Sequence, residues 1–190
     1  MSRLRLAIVF LLIVTGMAEA QFPQTAKRRE AAIPPDAVSV DAIVSALYGS
    51  VSHPSDAPPD FDRLRRIFLY VGMLVPPKTP EAADFTVMDV DQFSERYEKS
   101  VAARKAKGEP PLGFFEREVS RRADCFGNIC QIFSTYESRH APSDPTPFQR
   151  GINSIQLLRD GNRWWIASVV WDAERSDNPV PAQYLPSPKL

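Results

Sequence analysis

The sequence predicts an α+β domain with its helices ahead of most of its sheet, in the order αα-ββ-α-ββββ. Three observations carry that expectation. Val40, Ile43, Val44, Leu47, Tyr48 and Val51 recur at i, i+3, i+4, i+7, i+8 and i+11, the apolar stripe of an amphipathic helix. Asp89 and Gln92 stand three apart, with Met88 and Phe93 at the staple positions around them, which is the start signal of another helix. Beyond Pro111 the chain reads as strand, interrupted by Gly127-Asn128 and Asp160-Gly161, both favoured hairpin turns.

Taken in order, Arg3 and Arg5 precede an apolar run over residues 6–15 and the small residues of Ala18-Glu19-Ala20, the make-up of a secretory signal peptide over residues 1–20. The run is shorter than the roughly 20 residues a spanning helix needs. No cysteine follows it to carry a lipid, so no stable membrane anchoring is expected after cleavage. Residues 21–35 are polar and end in Pro34-Pro35, which suggests a flexible leader, and 36–176 form the folded domain. After the first helix come Pro54, Pro58 and Pro59; Asp60 then caps a second helix with Phe61, Leu64, Ile67 and Phe68 on one face. Residues 70–75 and 85–88 read as short strands separated by Pro76-Pro77, and the third helix runs from 90 to about 105 with Val90, Phe93, Tyr97 and Val101 inward. Strands follow over 114–125, 130–139, 151–158 and 163–172. The tail 177–190 holds Pro179, Pro181, Pro186 and Pro188, so an extended arm rather than a helix is expected.

The chain has 190 residues, 44% hydrophobic and 24% charged, with 23 basic and 23 acidic residues. That is the balance of one globular domain without the basic field that gathers nucleic acid. Two histidines and two cysteines are too few soft ligands for a zinc or iron–sulfur centre, so no metal and no cofactor are expected. His53 and His140 sit singly in proline-rich loops, where exposure is the simplest expectation. Export leads to an oxidising space, periplasmic or extracellular, and folding at Gly127-Asn128 sets Cys125 opposite Cys130, which predicts a structural disulfide.

Turn register converts strands into faces. Around Asp160-Gly161, Leu157 faces Trp164, Ile155 faces Ile166, Asn153 faces Ser168 and Gly151 faces Val170. The opposite side carries Trp165, Val169 and, further along, Trp171. Around Gly127-Asn128 one face collects Arg121, Ser134, Val119 and Tyr136. A bulge would move these assignments by one residue. Both faces of the last hairpin are then apolar, and the one bearing Trp165, Val169 and Trp171 needs a cover: a second copy, giving a twofold homodimer, or the C-terminal arm.

The segments Phe114-Phe115-Glu116-Arg117-Glu118, Phe126-Gly127-Asn128-Ile129 running on to Arg139, and Asp160-Gly161-Asn162-Arg163-Trp164-Trp165-Ile166 resemble the SnoaL-like secreted bacterial proteins of the nuclear transport factor 2-like superfamily, over residues 36–178. The resemblance implies a cone, in which a curved mixed sheet of the cystatin-like kind wraps three helices around an internal pocket, with sheet-to-sheet pairing as a common assembly. Members are isomerases, dehydratases, epoxide hydrolases, or binding and dimerisation modules, so fold does not choose function. The first strand ends Met73-Leu74-Val75-Pro76 without the acid of the isomerases. The histidines of the dehydratases have no counterpart in the cone, and no two carboxylates can be set beside Arg121 as in the epoxide hydrolases. No catalytic residue is assigned.

The ligand-pocket candidates are Tyr48, Arg121, Ser134, Tyr136, Asn153, Ser168 and Trp164. Tyr48 and Tyr136 either pack in the core with satisfied hydroxyls or point into a shared pocket, where Ser134, Asn153 and Ser168 add polar groups. Arg121 faces inward and needs an anion, either an acid such as Asp172 or Glu98 or a ligand carboxylate. Trp164 is a core residue. The leading expectation is a binder of a small, mostly apolar molecule; the alternatives are a cofactor-free isomerase, lyase or hydrolase using Tyr48, Tyr136 and Arg121, and an interaction module whose cone is filled.

Overall fold

Each of the three α-helices starts at a residue whose side chain stands in for a missing backbone acceptor. The computed structural model describes residues 34–186, so the signal peptide and most of the leader lie outside the described residues. Ser39 accepts from the Ala42 N–H at 3.0 Å and opens α1, Val40–Val51. Asp60 accepts from the Arg63 N–H at 2.8 Å and opens α2, Phe61–Ile67. Asp89 and Gln92 form the reciprocal capping box, at 2.8 and 3.0 Å, that opens α3, Val90–Ala106. No helix among the described residues is long and apolar enough to cross a membrane.

The sheet has five strands: β1 Phe68–Val75, β2 Phe115–Phe126, β3 Ile129–Arg139, β4 Gln149–Asp160 and β5 Arg163–Ala173. Their spatial order is β1-β5-β4-β3-β2, with β1 parallel to β5 and the rest antiparallel. Phe68, expected on the second helix, instead begins β1. Residues 85–88, expected as a strand, form only a bridge in which Leu74 and Met88 exchange backbone hydrogen bonds at 2.7 and 3.0 Å. Pro76, Pro77 and Pro80 withhold donors on the approach and α3 begins at Val90, leaving no length for a ladder.

Both hairpins turn on Gly-Asn. Gly127 and Gly161 have positive φ and their asparagines do not, the arrangement of a turn with glycine at its first central position. At Gly127-Asn128 this matches expectation: Cys125 pairs with Cys130, Cα atoms 4.1 Å apart and sulfurs bonded. In the second hairpin the loop is Gly161-Asn162, so Asp160 pairs with Arg163 and Leu157 faces Ile166 instead of Trp164. That slip of two residues leaves the faces unchanged near the turn. Further along, a bulge at Ala167 brings Ser168 opposite Gln156 and Val169 opposite Ile155, reversing every later side chain of β5.

The core lies between α1, α2 and the inner sheet face, built from Ile43, Val44, Leu47, Leu64, Ile67, Ile132, Ile155, Leu157, Trp164 and Ile166. Because of the bulge, Val169 belongs to this core and Trp171 packs against it, so the expected outer face of Trp165, Val169 and Trp171 does not exist as one surface. Trp165 alone stays outside, under the guanidinium of Arg163 at 3.4 Å.

The C-terminal arm lies on the outer face. It contains one 3-10 turn, Ala182–Tyr184, where a fully extended segment was expected. Thr135 donates its hydroxyl to the Tyr184 carbonyl at 2.6 Å, and the Tyr184 ring stacks on Phe133 at 5.5 Å. Beyond the arm, Phe126, Ile129 and Leu158 form an apolar cross-strand ladder that remains exposed.

Candidate functional site

The inner face of β2 to β4 carries a polar chain in an apolar setting. A bulge at Val119, between the pairs Glu118 with Tyr136 and Ser120 with Thr135, turns Glu118 and Glu116 inward beside Arg121, where the unbroken alternation predicted Val119. Arg121 grips Glu118 through Nε and Nη2 at 2.6 to 3.0 Å and reaches Asp41 at 2.6 Å. Two carboxylates therefore do flank Arg121, where the strand register predicted none, and neither of them is Asp172, which binds Arg175. Their hydrogen bonds and charge hold the Arg121 guanidinium above its ordinary pKa.

Ser134 donates to Glu118 at 2.5 Å and receives the Tyr48 hydroxyl proton at 2.6 Å. Asn153 donates to the Tyr48 oxygen at 3.1 Å and to Glu116 at 3.3 Å, and Ser138 donates to the other Glu116 oxygen at 3.0 Å. The result is one continuous chain from Arg121 to Ser138. Burial raises the pKa of Tyr48 and of Tyr136, with the Glu116 charge adding to both. Glu116 is pushed up to about 7 by desolvation, against which the bonds from Ser138 and Asn153 pull it back down.

Tyr48, Ser134, Tyr136 and Asn153 thus come together as expected neighbours, but they are packed against one another rather than arranged around space. Ser168 is not with them: the Ala167 bulge turns it to the outer face, in register with Gln156 and Met73. Trp164 lies on the inner face in the core, with the Arg159 guanidinium 5.9 Å from its ring centre.

A mostly apolar cavity lies elsewhere. A space of about 600 Å³ lies between the C-terminal end of α1, one face of α3 and the segment 109–114. Phe93, Tyr97, Val101, Leu112 and Phe114 give it a mostly apolar wall. Three of the four residues expected to point inward from α3 face this cavity. His53 and His140, expected in solvent, also line it. His53 is buried because the loop folds back: its backbone bridges Phe114 at 2.7 and 2.9 Å and its ring meets Tyr97 edge-on at 5.2 Å. Each ring donates Nδ1–H to a carbonyl, Pro54 at 2.8 Å for His53 and Gly113 at 3.1 Å for His140, leaving Nε2 as the acceptor. Among the described residues no group of three acidic, histidine or cysteine side chains is placed to hold a metal ion.

No family model matches the sequence, and no curated protein matches it. Solved structures do. The β subunit of benzoate 1,2-dioxygenase from Burkholderia mallei superimposes with a TM-score of 0.51 at 10% identity, over 78% of this chain and 98% of that one. An NTF2-like protein of unknown function from Silicibacter pomeroyi is 16% identical over 70% of this chain and 92% of its own, with a TM-score of 0.42. A protein of unknown function with a cystatin-like fold from Nostoc punctiforme gives 0.48 at 10% identity, over 70% and 90%.

The chain shares an α+β fold with the benzoate 1,2-dioxygenase β subunit, three helices against a five-stranded mixed sheet. In this version of the fold, the inner sheet face expected to hold a ligand is filled by the Tyr48–Ser134–Asn153 chain, and the cavity sits beside it under α3. Sequence reasoning missed Glu116, Glu118, His53 and His140 as members of these sites. One signal was present: an inward Arg121 needs an acid, and only a bulge lets Glu118, three residues before it on the same strand, face the same way.

Proposed function

We propose that the chain is an exported protein that binds a small, mostly apolar molecule in the cavity between α1 and α3. The single observation that carries this reading is the cavity itself. Its volume falls in the range of small-molecule sites, its wall is aromatic and aliphatic, and a few polar groups converge on it from His53, Ser100, Arg104 and His140. Export is supported by the composition of residues 1–20 and by the bonded Cys125–Cys130 pair. The enzyme alternative built on Tyr48, Tyr136 and Arg121 is less well supported, since none of the three lines the cavity. A neutral fluorescent probe, N-phenyl-1-naphthylamine, is expected to bind with increased emission. Val101→Trp, at a position 43% exposed on the cavity wall, should abolish that signal without lowering the melting temperature. Equal binding by both proteins, or none by the wild type, rejects the reading.

The exposed ladder of Phe126, Ile129 and Leu158 favours pairing of two copies along this strip rather than through the tryptophans. Light scattering is expected to return twice the chain mass for the wild type and a single chain for Ile129→Lys. A wild-type monomer ends the proposal.

A further inference from the structure

The cavity is apolar along most of its wall but not at one end. There α3 finishes with Arg104 and Lys105, and the turn after it brings in Glu109. Two cations face one acid, so this end of the cavity carries a positive excess. The Arg104 guanidinium is half-buried and incompletely satisfied. Nη1 pairs with Glu109 at 2.9 Å and Nη2 donates to the Pro110 carbonyl at 3.1 Å, while Nε–H is buried without an acceptor. A buried donor left unpaired costs stability that a ligand acceptor can return. An arginine fork is also shaped to receive the two oxygens of a carboxylate.

We infer that the cavity selects apolar molecules that end in a carboxylate, such as a medium-chain fatty acid, with the chain along Phe93, Tyr97 and Val101 and the acid group on Arg104. The inference rests on the reading of the cavity as a ligand site. Engaging the carboxylate requires the guanidinium to turn toward the cavity and release the Pro110 carbonyl. Glu109 then acts as an internal competitor, since it holds the same cation in the unliganded protein.

The test is displacement of N-phenyl-1-naphthylamine from the full chain at pH 7.5 by decanoate and by decan-1-ol, which share the tail and differ in the charged end. Decanoate is expected to displace at a concentration at least tenfold lower than the alcohol. In Arg104→Met the two should become equal. In Glu109→Gln decanoate should tighten several-fold and the alcohol should not. Equal displacement by acid and alcohol in the wild type, or a preference that survives in Arg104→Met, overturns the inference while leaving the apolar site intact. If Arg104→Met fails to bind the probe, Glu109→Gln decides, and unchanged decanoate affinity there overturns it. Failure of the wild type to bind the probe rejects the cavity reading and this inference with it.

Discussion

Glu116→Gln is expected to stabilise the protein by about 3 kcal/mol at pH 8 and to leave it nearly unchanged at pH 4.5. The Glu116 carboxyl is desolvated on the inner face of β2, which moves its pKa from an ordinary 4.5 to about 7 in the folded chain. Between those values the native state holds a proton that the unfolded state has released. Stability from this group is therefore complete below about 4.5, falls as pH rises, and is lost above 7. Glutamine can accept from Asn153 through its oxygen and donate its amide N–H to the Ser138 hydroxyl, which turns to accept, without ever charging. Other carboxyls act in the opposite sense: Arg63 holds Asp36 low and Arg150 holds Glu174 low, so each loses stability as pH falls. The comparison of wild type with variant cancels these. Urea unfolding of both proteins at the two pH values reads the effect, and parallel shifts at both would mean that Glu116 is solvated.

Gly151→Ala is expected to cost about 3 kcal/mol, at the upper end of what overpacking does. Gly151 on β4 stands opposite Tyr136 on β3 and Ala173 on β5. A methyl group there would meet the Tyr136 hydroxyl at 2.6 Å and collide with the Asp172 carbonyl. The carbonyl is backbone and cannot move without parting β4 from β5. Removing the hydroxyl leaves the ring carbon Cζ at 2.8 Å and the carbonyl clash in place, so Gly151→Ala combined with Tyr136→Phe should recover only a small part of the loss. A melting temperature for Gly151→Ala within a degree of wild type would show that the strands separate easily at this point.

The candidate site was half legible before folding. Tyr48, Ser134, Tyr136 and Asn153 share a face because strand alternation and the Gly127 turn are local rules, and both held over those residues. The two glutamates that complete their hydrogen-bond chain were hidden by one extra residue, Val119, whose bulge no periodicity announces. The histidines were hidden for a different reason: a loop residue is read as exposed until the partner that covers it is known, and for His53 the cover is Tyr97 on α3 and Phe114 before β2.

By itself the sequence determined what depends on near neighbours: the three helices and their caps at Asp60 and Asp89, the opposition of Cys125 and Cys130, and the α+β class with its sheet packed on helices. Each follows from side chains within a few residues of one another, where geometry leaves few choices. Tertiary structure decided which face each strand presents and what fills the space between. The bulge at Ala167 moved Val169 and Trp171 into the core and Ser168 out of it, the arm closed over Phe133 and Thr135, and the open volume settled under α3. A strand's side-chain period is two, so one inserted residue reverses everything beyond it, and whether the insertion is tolerated depends on packing across the whole sheet rather than on the residues beside it.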